Sequence, residues 1–151
     1  MKILVQRSLN SNVSVDNKIV GQIEKGLVLF VGFTYGDTID DIKYLIKKVI
    51  NLRIFDDEKG AMNKSILDVS GSILSISQFT LYADTKKGNR PSYINALNGE
   101  EAIKLYDLFN DELRKNNIEV ETGIFGSDMK VNIINDGPVT ILLESRKKNE
   151  K

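Results

Sequence analysis

Apolar and polar positions alternate through the first third of the chain in a way that predicts strands. Lys2-Ile3-Leu4-Val5-Gln6-Arg7 is one extended run, and in Asn12–Asp16 the side chains of Val13 and Val15 share a face. Asp16-Asn17-Lys18 reads as a turn, Ile19–Ile23 resumes extended, and Glu24-Lys25-Gly26 turns again. Leu27–Phe33 is almost continuously apolar, which predicts a strand buried on both faces. The period then changes. Ile42, Leu45, Ile46 and Val49 fall at i, i+3, i+4 and i+7, one face of a helix. Thr38 followed three residues later by Asp41 supplies a capping-box-like start, and Lys43, Lys47 and Lys48 lie off the apolar face as a solvated surface. A second helix starts at Asn98, with Glu101 in the N3 position, and carries Ala102, Leu105, Tyr106, Phe109 and Leu113 as its core stripe to Asn116-Asn117.

The remaining segments are extended or irregular. Leu52–Phe55 reads as a short extended piece, and Asp56-Asp57-Glu58-Lys59-Gly60 as a polar turn lacking the spacing of a calcium loop. Ser72–Leu81 predicts a strand, yet Ser75, Ser77, Gln78 and Thr80 interrupt its apolar run. Buried hydroxyls and amides cost about 1–3 kcal/mol each when left without partners. In a regular strand Ser77 and Gln78 point to opposite faces. If both serve one site, the strand must end or bulge there, freeing backbone N–H groups. Ala83–Ser92 is a polar loop whose Lys86, Lys87 and Arg90 are either plain surface or a phosphate contact. Ile118–Glu121 alternates as a strand, and Gly123–Met129 is an irregular connection. Lys130–Ile134 and Val139–Leu143 then flank Asn135-Asp136-Gly137-Pro138, which predicts a hairpin corner because proline lacks the ladder N–H and fixes its own φ. Residues 146–151 are a charged tail expected to fray. With no repeat or linker, the order of elements predicts a single mixed α/β domain over 1–151. Its mixed and antiparallel sheets are expected in a partly barrel-like arrangement, with two main helices packed outside.

Composition narrows the chemistry. The chain is 41% hydrophobic and 28% charged, as a globular domain is, and its 21 basic and 21 acidic residues cancel, so any nucleic-acid contact must come from a local patch. Histidine and cysteine are both absent. That excludes disulfides, Cys/His zinc sites, thiol nucleophiles and Ser-His-Asp catalysis. Residues 1–9 have no long apolar core, so no signal peptide is expected, and no stretch approaches the roughly 20 apolar residues of a membrane span. A soluble, cytoplasmic protein is the expectation, with neither metal nor cofactor.

Two segments carry a family resemblance. One is Ser77-Gln78-Phe79-Thr80-Leu81, continuing through Ala83-Asp84-Thr85 to Gly88 and Arg90-Pro91-Ser92; the other is Asn135-Asp136-Gly137-Pro138-Val139-Thr140. Gln6-Arg7, Arg53-Ile54-Phe55, Met62-Asn63, Gly123, Phe125, Asp128 and Met129 add supporting matches. Together, over essentially the whole chain, these resemble the D-aminoacyl-tRNA deacylase family. Tyr82, where many members carry alanine, and Gly126-Ser127, where alanines are common, depart from its pattern. The resemblance implies hydrolysis of the ester joining a D-amino acid, or glycine, to the 3′-terminal adenosine of tRNA. It also implies a homodimer with pockets at the subunit interface. Ser77 and Gln78 would line one subunit's pocket, and Gly137-Pro138, joined by a cis peptide bond, would reach in from the other.

An aminoacyl ester is already activated, so a histidine-free site is sufficient in principle. The catalytic candidates are Ser77, Gln78, Phe79 and Thr80. Main-chain N–H groups around Gln78 and Phe79 are expected to hold the ester carbonyl oxygen, with the ribose 2′-hydroxyl helping to activate water. Thr80 ranks lower as a nucleophile, because no adjacent base is evident. Gly137 and Pro138 are expected to form a rigid wall that captures the α-amino group and leaves no room for an L side chain, with Met129 packed nearby. A trans bond, or a corner remote from Ser77, would rule this wall out. The alternatives are a non-catalytic nucleic-acid-binding module and a hydrolase of another small ester.

Overall fold

The chain is described by a computed structural model over residues 1–146. The strands are β1 (Lys2–Ser8), β2 (Ser11–Val15), β3 (Lys18–Ile23), β4 (Gly26–Gly32), β5 (Phe55–Asp56), β6 (Met62–Lys64), β7 (Ser72–Ser77), β8 (Val120–Thr122), β9 (Lys130–Asn132) and β10 (Asn135–Glu144). The helices are α1 (Ile39–Asn51) and α2 (Gly99–Arg114), with a short 3-10 turn over Phe79–Tyr82.

A five-stranded sheet in the order β10-β1-β4-β7-β8 forms the centre. Its β10-β1-β4 half is antiparallel and its β4-β7-β8 half is parallel. Burial on both faces follows from the apolar run in β4. Leu27, Leu29 and Val31 face a core shared with Ile42, Leu45 and Val49 of α1 and Phe109 and Leu113 of α2. Val28 faces a second core with Leu74 and Ile76 of β7 and Val13 and Ile23 of the small sheet β3-β2-β9. The result is a layered mixed α/β fold with both helices on one side, and among the described residues the sheets do not close into a barrel.

The helix starts match the sequence. Asp40 N–H donates to the Thr38 hydroxyl at 3.2 Å, and the Asp41 carboxylate accepts from Thr38 N–H at 2.9 Å. Asn98 Oδ1 accepts from Glu101 N–H at 3.1 Å. Between β5 and β6, the acidic turn is organised by Asp57. Its carboxylate accepts from Lys59 N–H, Ala61 N–H and Asn63 Nδ2, contacts that hold its pKa below the usual carboxylate range. Ser75, one of the polar interruptions, is fully buried against α2, where its carbonyl accepts from the Tyr106 hydroxyl at 2.7 Å.

Several expectations need correction. Within Leu52–Phe55, only Phe55 enters a strand, the two-residue β5. The strand expected through Leu81 ends at Ser77, because β4 ends at Gly32 and β8 accompanies only Ile73–Ser75, leaving later residues no ladder partner. The hairpin corner at Asn135–Pro138 is not a hairpin. β9 pairs with β2 in the small sheet, whereas β10 begins at Asn135 and pairs with β1 in the large one. Gln6 pairs with Thr140 but Ser8 with Asn135, so Asp136–Val139 stand out as a bulge opposite Arg7. β10 is an edge strand, where proline forfeits no ladder bond. Of the tail, Arg146 is tied to Asp37 and donates to the Tyr35 carbonyl at 3.1 Å; residues 147–151 lie outside the described residues. Among the described residues no helix is long and apolar enough to cross a membrane.

Candidate active site

Where β4 and β7 end side by side, the chain diverges and leaves a cavity of about 440 Å³. Crevices beyond the carboxyl ends of parallel strands are where α/β sheets bind ligands. Val31, Ser77, Gln78, Phe79, Phe125 and Met129 line it. Ser77 extends the β7 face that turns to the helices, and Gln78 starts the departure with φ −144° and ψ 82°. Gln78 N–H makes the last rung, donating to the Val31 carbonyl at 2.8 Å. It is therefore committed to the sheet, which corrects the expectation that it faces a ligand. The next two amides, Phe79 N–H and Thr80 N–H, open the 3-10 turn and have no acceptor among the described residues.

The side chains divide differently. Gln78 Nε2 donates to the Thr80 hydroxyl in a short contact, and no base touches that hydroxyl. Thr80 itself is not among the cavity-lining residues. The one titratable lining residue, Asp128, is largely exposed and paired with Lys130 at 2.8 Å. Met129 reaches the cavity because Gly123 leaves room for it: a Cβ at Gly123 would collide with the Met129 sulfur. The cavity thus has one lining residue with a free backbone amide, Phe79, with Thr80 next to it in the turn, together with small polar groups and apolar walls, but no buried acid or base among the described residues.

The second motif lies elsewhere. The Gly137–Pro138 bond is cis, and both residues are exposed on the bulge. Asn135 closes the neck, its Nδ2 donating to the Thr140 hydroxyl at 2.9 Å and its Oδ1 accepting from Val139 N–H at 3.2 Å. Arg7, almost fully buried, clamps the base. Its Nη1 donates to the Ile54 carbonyl at 2.8 Å and its Nε to the Asp136 carbonyl at 3.0 Å. Beyond the Gln6-Arg7 match, nothing in the sequence marks this positioning role, because the burial of Arg7 and the bulge beside it arise only in the fold. The row containing Ser77 and Val31 continues through Ile3 to Leu143, six residues beyond Gly137 on β10. The bulge lies level with Arg7, four residues along β1 from Ile3, so strand rise and three strand spacings separate Gly137 from Ser77 by about 20 Å. The corner is thus remote from the Ser77 of its own subunit, which rules out a wall within one subunit and leaves only a wall formed across two copies.

The cationic loop follows directly on the 3-10 turn that leaves the cavity. Asp84 and Ser92 close its neck with two backbone bonds of 2.8 Å, and Lys86, Lys87 and Arg90 are exposed on the excursion between them. Lys86 also lines a neighbouring cleft with Lys2, Tyr35, Tyr82 and Arg146. Lys2 Nζ lies 4.7 Å from the centre of the Tyr82 ring, and burial raises the Tyr82 hydroxyl pKa above its ordinary value.

A family model described as D-Tyr-tRNA(Tyr) deacylase matches residues 4–144. A protein of Bacillus cytotoxicus named D-aminoacyl-tRNA deacylase is 55% identical over 146 residues, covering 97% of this chain and 100% of its own. One of Clostridium novyi with the same name is 56% identical over 147 residues, covering 97% and 99%. Among solved structures, one described as c-Myc DNA Unwinding Element Binding Protein superposes with a TM-score of 0.92 at 38% identity, covering 97% of this chain and all of that one. Another, described as a probable eukaryotic D-amino acid tRNA deacylase, gives 0.79 at 16% identity over 95% of this chain and 98% of its own, a likeness of fold alone.

Proposed function

This chain belongs to the D-aminoacyl-tRNA deacylase family, a family of hydrolases, and from that premise we propose that it cleaves the ester between a D-amino acid, or glycine, and the 3′-terminal adenosine of tRNA. The reaction keeps D-amino acids out of translation and belongs in the cytoplasm, where charged tRNA is used. The observation that carries the mechanism is the pair of unpartnered amides at Phe79 and Thr80 beside a cavity without a buried acid or base. Donors of this kind stabilise the oxyanion of the tetrahedral intermediate, and losing one typically costs about 100- to 1000-fold in rate. Phe79 and Thr80 supply them here, in place of Gln78. Water attacks the ester carbonyl; the terminal ribose 2′-hydroxyl takes its proton while passing its own to the neighbouring 3′-oxygen, which leaves as the free hydroxyl of the tRNA, and the amino acid departs as its carboxylic acid.

Selection falls to Gly137-Pro138. Since the bulge is exposed and distant from its own subunit's cavity, it serves the cavity of a second copy in a two-fold dimer. Its carbonyls take the α-amino group, and its rigid wall leaves no room for an L side chain. Met129, on the cavity wall, bounds the space beside it, and Lys86, Lys87 and Arg90 contact the tRNA backbone.

Purified protein mixed with D-tyrosyl-tRNA or L-tyrosyl-tRNA is expected to release the D amino acid and spare the L ester. A second class is favoured by the name of the 38%-identical structure, which describes a DNA-binding protein. A non-catalytic nucleic-acid module would leave both esters intact while retaining affinity, and a general esterase would cleave both. Thr80→Ala is expected to keep kcat within about tenfold of wild type, because the threonine hydroxyl has no base. Removal of a true nucleophile costs about 10⁴- to 10⁶-fold, and a loss on that scale, or a trapped acyl-enzyme, would reinstate Thr80.

A further inference from the structure

Next to the cavity, the protein displays large apolar side chains that its own core does not use. Phe79 is 55% exposed, Tyr93 42% and Ile94 73%. The rings of Phe79 and Tyr93 meet edge to face with centroids 4.9 Å apart. The segment that carries Tyr93 and Ile94 is fastened at both ends. Ser92 is bonded to Asp84, and Leu97 N–H donates to the Phe33 carbonyl at 3.0 Å. Between them, Ala96 N–H returns to the Tyr93 carbonyl at 3.0 Å, and the Thr34 hydroxyl donates to the Asn95 carbonyl. The platform is thus held by backbone bonds while its side chains face solvent. Lys86, Lys87 and Arg90 stand on the adjoining loop, and none makes an ion pair among the described residues. Exposed aromatic faces beside unpaired cations are the combination that binds single-stranded nucleic acid: bases stack and phosphates pair.

We infer that Phe79, Tyr93 and Ile94 form a stacking platform for the unpaired nucleotides on the 5′ side of the terminal adenosine. This rests on the deacylase reading. An ester at the 3′ end places the terminal residue in the cavity, so the strand leaves over the rim, where Phe79 is both a lining residue and part of the platform. Lys86, Lys87 and Arg90 neutralise the phosphates of that same short strand. Lys86 also lines the adjoining cleft with Tyr35 and Tyr82, which gives the departing chain a further aromatic wall. The occupant is single-stranded RNA, favoured over a protein partner by the three unpaired cations.

The test compares D-tyrosyl-tRNA with D-tyrosyl-adenosine, which reaches the cavity but has no strand beyond it. Each stacked base is worth about 1–3 kcal/mol. The double variant Tyr93→Ala/Ile94→Ala is therefore expected to raise KM for the tRNA ester about 10- to 100-fold with kcat largely kept. The advantage of the tRNA ester over the nucleoside ester in kcat/KM should fall by a similar factor, and Tyr93→Phe should restore most of it. Each of Lys86→Ala, Lys87→Ala and Arg90→Ala should lower the salt dependence of tRNA binding by about 0.7 in log–log slope. Equal losses on both substrates would overturn the platform, as would dissociation of the variant dimer in sedimentation, which would make the patch a protein–protein face. If wild type cleaves neither ester, the deacylase reading falls, and the platform is then read from the affinity for uncharged tRNA with and without its 3′ CCA. A preference for the intact end that disappears in the double variant supports it; no preference overturns it.

Discussion

Gly137→Ala is expected to lower kcat/KM for D-tyrosyl-tRNA by about 100-fold or more while leaving the protein folded. Gly137 has φ +129°, a region that side-chain-bearing residues rarely adopt. A Cβ there would sit 2.9 Å from Val139 Cγ2, 3.0 Å from Arg7 Nη2 and 3.1 Å from Val139 N. The arginine is held by the Ile54 and Asp136 carbonyls, so the bulge must move instead. A displacement of about 1 Å at a positioning element costs about 100-fold in rate. The cost in stability is of order 1–3 kcal/mol, since one strained residue on an exposed bulge leaves both cores intact. Circular dichroism with thermal melting separates loss of fold from loss of function. Co-expression with a Ser77→Leu subunit, whose cavity is filled, tests the arrangement across two copies. Half of the randomly assorted dimers then contain one intact cavity facing one intact bulge, for about a quarter of wild-type activity. No recovery in the mixture would assign the bulge to some other task.

Replacing the terminal ribose 2′-hydroxyl of D-tyrosyl-tRNA by hydrogen is expected to abolish turnover almost completely while binding persists. The cavity has no histidine, and its single carboxylate, Asp128, is solvent-exposed and engaged with Lys130. The protein lacks an evident base there, so the substrate must bring one. General-base assistance is worth about 10²- to 10⁴-fold. Single-turnover rates on matched ribo and deoxy substrates measure it directly. Equal rates would move the base to a protein group or to bulk hydroxide and end the substrate-assisted scheme.

Much of this architecture could be read from residue patterns, and the errors share a cause. The α1 stripe, both caps and the doubly buried β4 are local patterns, so periodicity and capping chemistry were sufficient. The end of β7 is not local. Phe79-Thr80-Leu81-Tyr82 has high strand propensity, yet β4 has stopped and β8 is too short to accompany it, so the chain coils into a 3-10 turn. The same blindness turned β9 and β10 into a hairpin. Their alternation identifies strands but not partners, and the actual partners, β2 and β1, lie more than a hundred residues away in sequence. The pocket residues Ser77, Gln78 and Phe79 were recognisable as a motif, but only the hydrogen-bond pattern tells which amides are free. Arg7 was visible too; its clamp on the bulge was not.

The central sheet changes character at β4, with parallel strands ending at the cavity on one side and antiparallel strands carrying the bulge on the other. Under the proposed two-fold arrangement, strand length becomes a gauge. One residue inserted into β1 or β10 would slide the bulge by about 3.3 Å and turn alternate side chains to the wrong face. Selector and cavity would then miss each other twice, once at each end of the dimer. Side chains around the cavity can vary one at a time, whereas the lengths of these strands can change only together.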